Sequence, residues 1–290
     1  MSKEYYYFVC GLPAINPEDT KLMLTPLMFF HAAQDYLNKE DYALLRMMLI
    51  PNDISNLVNV LHGKNNWSDE SVITMEVWQE LYKTLKHDPE SILFSNIKLT
   101  ENIPQFIVDY LRTETDNTDL TPHHKMLNDL YTLFYDSVEK HCDGFLKEWF
   151  RFDSEIRNIL IALNCRKHNI PVTGHLIGNN VLTEKLSKST ASDFGLGAEY
   201  PMFDVLNRLN DNPDMIEKEK GIDAIRWKWI ENKIFFDYFT VPRILAYFIK
   251  LRIIYRWIHL SQAVGEKRFH QILHDLESSL VFPEEFALKR

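Results

Sequence analysis

Three thiol and imidazole side chains lie close together in the sequence and could bind a transition metal. Cys165, His168 and His175 have a Cys-x2-His-x6-His spacing, and thiolate and imidazole are ligands that zinc prefers. A structural zinc site needs a fourth ligand and usually a tight knuckle, whereas this pattern crosses the predicted end of a helix. We therefore predict no metal site. A helical metal-binding protein or enzyme that uses these three residues stays open as an alternative.

The other motifs for catalysis or nucleotide binding are incomplete. The segment Gly195-Leu-Gly197 lacks the third glycine, the preceding strand and the distal acid of a dinucleotide fingerprint, and the chain has no phosphate loop or nucleophile elbow. His123 and His124 are adjacent, so they would point about 100° apart on a helix. The neighbouring acids Asp153 and Glu155 are typical of an exposed helix face. We predict a non-catalytic protein without a cofactor.

A group of basic residues in the C-terminal part indicates a surface for a protein partner. Nine basic and four acidic residues lie between Asp223 and His270, although the whole chain has a net charge of −9. That negative charge argues against nucleic-acid binding. Alternatively, these arginines pair with acids on neighbouring helices of the same chain. Arg157 and Asn158 form a similar polar group on an earlier helix. The candidate partner-binding residues are therefore Arg157, Asn158, Lys250, Arg252 and Arg256.

Composition favours a helical protein of the cytoplasm. Only 9 of the 290 residues are glycine, about 3% against a typical ~7%, which leaves little material for tight hairpins. The three cysteines are an odd number at no repeating spacing, and this favours a reducing compartment over a disulfide framework. No apolar stretch approaches the ~18 residues needed to span a bilayer. The chain is therefore expected to reach a membrane only through partners.

Apolar residues recur at three- and four-residue intervals over most of the chain and predict an all-α protein. The aromatic, β-branched run Tyr5–Val9 is the exception, and it predicts a short extended segment. One long helix is predicted to include Met126 and continue to Trp149, and a second to begin at Phe152. Pro51 is predicted to end a helix.

Polar and glycine-containing segments predict how these helices are organised. The acidic run Thr113–Asp119 is the predicted linker between an N-terminal helical lobe, 1–115, and a larger C-terminal lobe, 116–290, unless the two form one continuous domain. The segment Ser189–Pro201 holds two glycines and is predicted to be a mobile loop. A last amphipathic helix is predicted to span Phe269–Leu276.

Three segments resemble proteins of rotary ATPases. The helix Phe152–Leu163 and the closing Ile244–Leu273, with its glycine turn, resemble a stalk component of V/A-type ATPases, the C/d family, named C in archaea and bacteria and d in eukaryotes. Asp41–Leu49 followed by Asn52–Leu57 resembles an earlier, more degenerate copy. The opening Tyr5–Pro13 resembles the start of a bacterial family encoded among V-type ATPase genes. The chain departs from the C/d pattern at 250–252, where Lys-Leu-Arg replaces an expected acid.

This resemblance implies a fold, a function and partners. The expected fold is funnel-shaped and built from related helical lobes. The expected function is a non-catalytic coupling or scaffold subunit that links the central rotor shaft to the membrane ring, at the cytoplasmic face of the membrane. Its expected partners are the shaft and ring subunits. A helical adaptor with an unrelated protein partner is a further alternative.

Overall fold

The computed structural model describes residues 5–87, 103–115 and 119–260. Over these ranges the chain has twelve α-helices, a short 3-10 turn and no strand, which confirms the predicted all-α class. No helix within them has the length and apolar character needed to cross a membrane. The helices are α1 (Tyr6–Gly11), α2 (Pro26–Tyr36), α3 (Lys39–Met47), α4 (Ile50–Leu61), α5 (Met75–His87), α6 (Gln105–Thr115), α7 (His123–His141), α8 (Gly144–Lys167), α9 (Val181–Lys188), α10 (Phe203–Asp211), α11 (Met215–Lys233) and α12 (Val241–His259).

The predicted extended segment at Tyr5–Val9 is wrong, because the chain forms the helix α1 there. This helix turns Phe8 inward, where its ring lies 5.5 Å from the Phe29 ring and 5.0 Å from the Tyr36 ring of α2, between centroids. The Tyr5 amide donates to the Phe239 carbonyl at 2.7 Å. Packing against α2 and the residues before α12 thus overrides the weak strand preference of aromatic residues.

Two predicted helix boundaries are also wrong. Pro51 lies in the first turn of α4 and does not end the preceding helix, since residues in a first turn have no intrahelical N–H partner to lose. The long helix predicted through Trp149 is in fact divided between α7 and α8 at Gly144, which has φ +59°. Glycine adopts this left-handed conformation without a steric penalty. The helix α8 then continues through Phe152, where a new helix was predicted to begin.

The helix α8 lies at the centre of the described fold and packs against α7, α9, α10, α11 and α12. In the N-terminal part, α4 packs on α5 and α7, while α2 packs on α12. The contact between α2 and α12 places Phe29 against Phe248, with ring centroids 5.6 Å apart. Residues before and after position 115 contribute to one contiguous hydrophobic core.

The predicted linker, the predicted last helix and the predicted mobile loop differ in how far the structure describes them. The predicted linker includes residues 116–118, and the predicted last helix lies in 261–290, so both extend outside the described residues. The loop Ser189–Pro201 is described, and its Phe194 is buried. The guanidinium carbon of Arg166 on α8 lies 3.4 Å from the centroid of the Phe194 ring. Phe194 therefore anchors this loop to α8.

Candidate functional site

Asn158, one of the predicted partner-binding residues, lies inside the protein. Its side chain is fully buried on α8. The Asn158 Nδ2 donates to the Ile177 carbonyl at 2.8 Å, and the Ile177 amide donates back to Oδ1 at 2.8 Å. The side-chain amide thus satisfies both backbone groups of Ile177, as a buried backbone requires. Asn158 attaches the loop between α8 and α9 to α8.

The N-terminal half contains the same arrangement on α4. Asn56 is buried, its Nδ2 donates to the Ser68 carbonyl at 2.9 Å, and the Ser68 amide donates to its Oδ1 at 2.8 Å. Ser68 lies in the loop between α4 and α5. The local sequences also correspond, as Asn52-Asp-Ile-Ser-Asn-Leu57 aligns with Ser154-Glu-Ile-Arg-Asn-Ile159. In both halves a buried asparagine attaches the loop that follows its helix.

Asp53 holds the same α4–α5 loop through a buried carboxyl group. Its Oδ1 accepts hydrogen bonds from the amides of Val72 and Ile73, each at 3.0 Å. Burial raises the Asp53 pKa to about 7, although the two amides and nearby Arg46 act in the opposite direction. A pKa near neutrality suits acid–base catalysis. However, the side chain is enclosed and directed at backbone groups, so its role here is structural.

Arg226 on α11 joins two acids that lie on different helices. Its Nε donates to Asp153 Oδ1 on α8 at 2.9 Å, and its Nη1 donates to Asp223 Oδ1 at 3.1 Å. The predicted partner-binding residue Arg157 lies 3.7 Å from Asp153, and its guanidinium carbon lies 4.9 Å from the Tyr131 ring centroid. Burial alone would raise the pKa of Asp153, but Arg226 and Arg157 lower it. Asp153 is therefore a charged link between α8 and α11 and a poor proton acceptor.

Arg252 connects α12 to the N-terminal half of the chain. Its Nε donates to Glu70 Oε2 at 2.7 Å, its Nη1 to the Met48 carbonyl at 3.1 Å and its Nη2 to Asn52 Oδ1 at 3.2 Å. All three nitrogens of the guanidinium are therefore used within the chain. Because the planar fork of arginine fixes several partners at once, this contact links α12 to the start of α4 and to the α4–α5 loop.

The last two predicted partner-binding residues also pair with α11. Arg256 donates to Asp223, which accepts a further hydrogen bond from Trp257 Nε1 at 2.8 Å. Lys250 donates to Glu231 at 3.1 Å. Burial alone would raise the pKa of Glu231, but its hydrogen bonds lower it, while burial lowers the pKa of Lys250. All five predicted residues thus contact other parts of the same chain, as the alternative interpretation of the basic face expects.

The structure instead exposes aromatic side chains on α1 and on the neighbouring α11–α12 connection, which the sequence interpretation missed. Tyr6 on α1 packs against Phe239, with ring centroids 4.4 Å apart, which brings α1 beside the α11–α12 connection. We call the exposed side chains here the aromatic patch. Its members, with exposed fractions, are Tyr6 (50%), Tyr7 (92%), Phe235 (66%), Phe236 (84%) and Tyr238 (59%). The run Phe-Phe-Asp-Tyr-Phe over 235–239 was the available signal, since such a density of aromatics in a connection is unusual for a solvated turn.

The candidate metal ligands are not brought together. Cys165 is buried on α8, while His168 and His175 are exposed beyond its end. Across the described ranges no group of three or more His, Cys, Asp or Glu side chains could hold a metal ion.

The His123 Nε2 lies 3.0 Å from Asn59 Oδ1, and burial is the largest cause that lowers the pKa of His123.

Comparison with known proteins identifies a family for this chain. The family model described as protein of unknown function (DUF2764) matches residues 1–280. The chain belongs to this family. No curated protein and no solved structure matches it.

The DUF2764 match covers every residue of the sites described above. It includes both buried asparagines, Asn56 and Asn158, the arginines of α11 and α12, and the aromatic patch. It also continues past Leu260 into the segment that follows α12. These features are therefore parts of one family domain.

Proposed function

We propose that this chain is a non-catalytic coupling or scaffold subunit of a V/A-type rotary ATPase, linking the central rotor shaft to the membrane ring. The shaft and ring subunits would be its partners, and it would act at the cytoplasmic face, attached to the membrane only through them. The resemblance of the opening Tyr5–Pro13 and of the helix Phe152–Leu163 to ATPase-associated proteins supports this assignment. The all-helical fold is of the class that the resemblance implies.

The repeated attachment of loops by Asn56 and Asn158 carries the proposal. A C/d-family protein is expected to be built from related helical lobes, and the resemblance gives Asp41–Leu49 followed by Asn52–Leu57 as an earlier, more degenerate copy. Asn52–Leu57 and Phe152–Leu163 share not only sequence but also a function in the fold, since each asparagine pairs with both backbone groups of one loop residue. This shared hydrogen-bonding arrangement supports the interpretation that the two halves are related lobes.

The charged contacts suit a part that must transmit torque. Such a spacer needs its helices to keep their relative positions under load, and it needs no group with a tuned pKa. Arg226 and Arg252 each join helices that are distant in sequence, through several hydrogen bonds. Breaking a largely buried ion pair costs several kcal/mol because one charge is left without its partner. These contacts therefore resist displacement of α8, α11 and α12.

The aromatic patch is the surface that we assign to a contact with the ATPase. Exposed Phe and Tyr side chains supply large contact areas at low conformational cost, and aromatic anchors dominate the energy of many protein interfaces. Tyr7 and Phe236 are 92% and 84% exposed, so neither is needed to complete the core. A coupling subunit requires at least one such surface.

Affinity purification of the tagged chain from gently solubilised native membranes tests the proposal. We expect shaft and ring subunits of the ATPase to be recovered with it in near-equal amounts, as identified by mass spectrometry. Recovery as a monomer without any ATPase subunit would contradict the proposal. Recovery of an unrelated protein would favour the helical adaptor. Stoichiometric zinc in the purified chain would favour the alternative that uses Cys165, His168 and His175.

A further inference from the structure

A long groove runs along α11. Its residues on α11 recur every three or four positions from Met215 to Glu231, and α12 and residues 17–20 form the other walls. The helical rise between those two residues makes the groove roughly 24 Å long, and its volume is about 1180 Å³. This length matches that of an amphipathic helix of about four turns, which is a common occupant of such grooves.

One end of the groove is apolar and open to solvent. Met215 and Ile216 of α11 and Leu260 after α12 are 65%, 58% and 58% exposed. Trp257 and Ile258 line the same end. Several large apolar side chains exposed together on one face indicate a surface that another segment covers.

The chain itself supplies a segment of suitable length at this place. Thirty residues follow Leu260, which lines the apolar end of the groove. Within them Phe269, Ile272, Leu273 and Leu276 recur at helical spacing after Gly265. A chain that turns back at this glycine meets the groove directly, with no need for a long linker.

The relative direction of α11 and α12 fixes the direction in which a returning segment would meet the charges on α11. The helices α11 and α12 are antiparallel, because Arg256 lies 3.7 Å from Glu219 while Lys250 lies 3.1 Å from Glu231. A segment that returns from the end of α12 therefore runs parallel to α11, beginning near Met215. Along α11, the acid Glu219 precedes Lys228 by nine residues.

The returning segment carries the complementary order of charges. Arg268 precedes Glu277, also by nine residues, so a parallel helix can place each beside the opposite charge on α11. We propose that residues 266–280 of the same chain bind in this groove as an amphipathic helix, with the apolar face formed by Phe269, Ile272, Leu273 and Leu276 against the groove. This inference is independent of the ATPase assignment, and either can fail alone.

Limited trypsin digestion of the full-length chain tests the proposal, because Lys267 and Arg268 are cleavage sites within the segment. Three variants are compared with the parent chain: Ile216→Glu in the groove, Ile272→Glu in the segment, and Val181→Glu as a control. Val181 is 67% exposed on α9, away from the groove. Mass spectrometry follows cleavage after Arg268, and circular dichroism with thermal unfolding verifies that all four proteins fold alike.

We expect the parent and the Val181→Glu control to be cleaved after Arg268 at least about tenfold more slowly than either groove or segment variant, because docking must open before cleavage. Equal rates in the parent and Ile216→Glu would overturn the proposal. Protection that appears only at high protein concentration, together with a dimer in light scattering, would assign the segment to a neighbouring copy and would also overturn it.

Discussion

At the scale of single residues, the pKa of Asp53 makes a prediction about stability and pH. Burial raises this pKa to about 7, whereas an unfolded chain has the ordinary value near 4. An acid whose pKa is higher in the folded state stabilises the fold fully below the unfolded pKa, and this contribution is lost as pH rises through the folded pKa. The free energy of unfolding of the parent chain should therefore fall between about pH 4 and pH 7 because of Asp53.

The substitution Asp53→Asn should remove that loss. Asparagine is neutral at every pH and can keep an oxygen acceptor for the amides of Val72 and Ile73. Urea unfolding at a series of pH values should show the variant more stable than the parent at pH 8, by up to about 4 kcal/mol for a shift of three pKa units. The difference should shrink toward pH 4. An unchanged pH dependence would contradict the assigned environment of Asp53.

Arg252 makes a second prediction at this scale. The change Arg252→Met removes three hydrogen bonds and leaves Glu70 without its cation. We expect a loss of roughly 2–3 kcal/mol in the free energy of unfolding, somewhat less than for a fully buried pair, because the two side chains are 26% and 19% exposed. Urea unfolding measures it.

Arg243→Met is the matched control for Arg252→Met. Arg243 lies on the same helix, and its side chain makes no hydrogen bond or ion pair within the described residues, so its replacement should change stability by less than about 0.5 kcal/mol. Equal effects of the two substitutions would show that the contacts of Arg252 contribute little.

The residue types of the site could be predicted from the sequence, but their partners could not. Helical spacing placed Arg252 and Arg256 on one helix, and this holds. The partner of Arg252 is Glu70, 182 residues earlier, and no local pattern indicates such a contact. Asn158 shows the same limit, because a polar residue on an amphipathic helix is expected at the surface unless a buried loop needs its hydrogen bonds.

At the scale of helices, α10 and α11 approach each other closely at Gly221. A Cβ atom added at this position would overlap Leu209 Cδ2 and lie 3.0 Å from Cδ1 of the same side chain. We predict that Gly221→Ala destabilises the protein by about 1 kcal/mol, since the cost of overpacking exceeds the gain in helix propensity. Thermal or urea unfolding measures the change.

A double-mutant cycle with Leu209→Ala tests the cause. If the clash with Leu209 is responsible, Gly221→Ala should be neutral or stabilising when residue 209 is alanine, because the side chain that it meets is gone. The same destabilisation in both backgrounds would contradict the close approach at Gly221.

Apolar periodicity predicted the helices correctly where it was the only signal. It failed where tertiary contacts or a glycine set the local conformation. The helix α12, for example, follows the apolar periodicity of its sequence and begins at Val241, with Pro242 in its first turn. Aromatic composition at Tyr5–Val9 suggested an extended segment, but Phe8 needs a helix to reach Phe29. At Gly144 the apolar pattern continues unbroken across a turn, so periodicity alone cannot reveal it.

At the scale of the whole molecule, the described chain is a helical body with internally paired charges and an exposed aromatic surface. The fold class could be predicted from composition and periodicity, because few glycines and continuous amphipathic patterns leave helices as the main solution. The aromatic patch could not, since Tyr7 and Phe236 are far apart in sequence and the contact between Tyr6 and Phe239 brings their segments together.

The double substitution Phe235→Ser with Phe236→Ser tests the assigned contact surface. These side chains are 66% and 84% exposed, so their loss should change folding stability by less than about 0.5 kcal/mol. Removing two aromatic anchors from an interface typically costs about 2 kcal/mol or more in binding. We therefore predict that the stably folded variant loses most of the association with ATPase subunits that we propose for the parent chain. Val181→Ser is the control, an equally exposed apolar residue outside the patch.

The measurement that tests the central claim most directly is quantitative co-purification of shaft and ring subunits with the parent chain, the Phe235→Ser/Phe236→Ser variant and the Val181→Ser control. We predict near-equal amounts of ATPase subunits with the parent and the control, and at least about a tenfold loss with the patch variant. Equal recovery with all three would contradict the assigned surface, and absence of ATPase subunits from all three would contradict the proposed function itself.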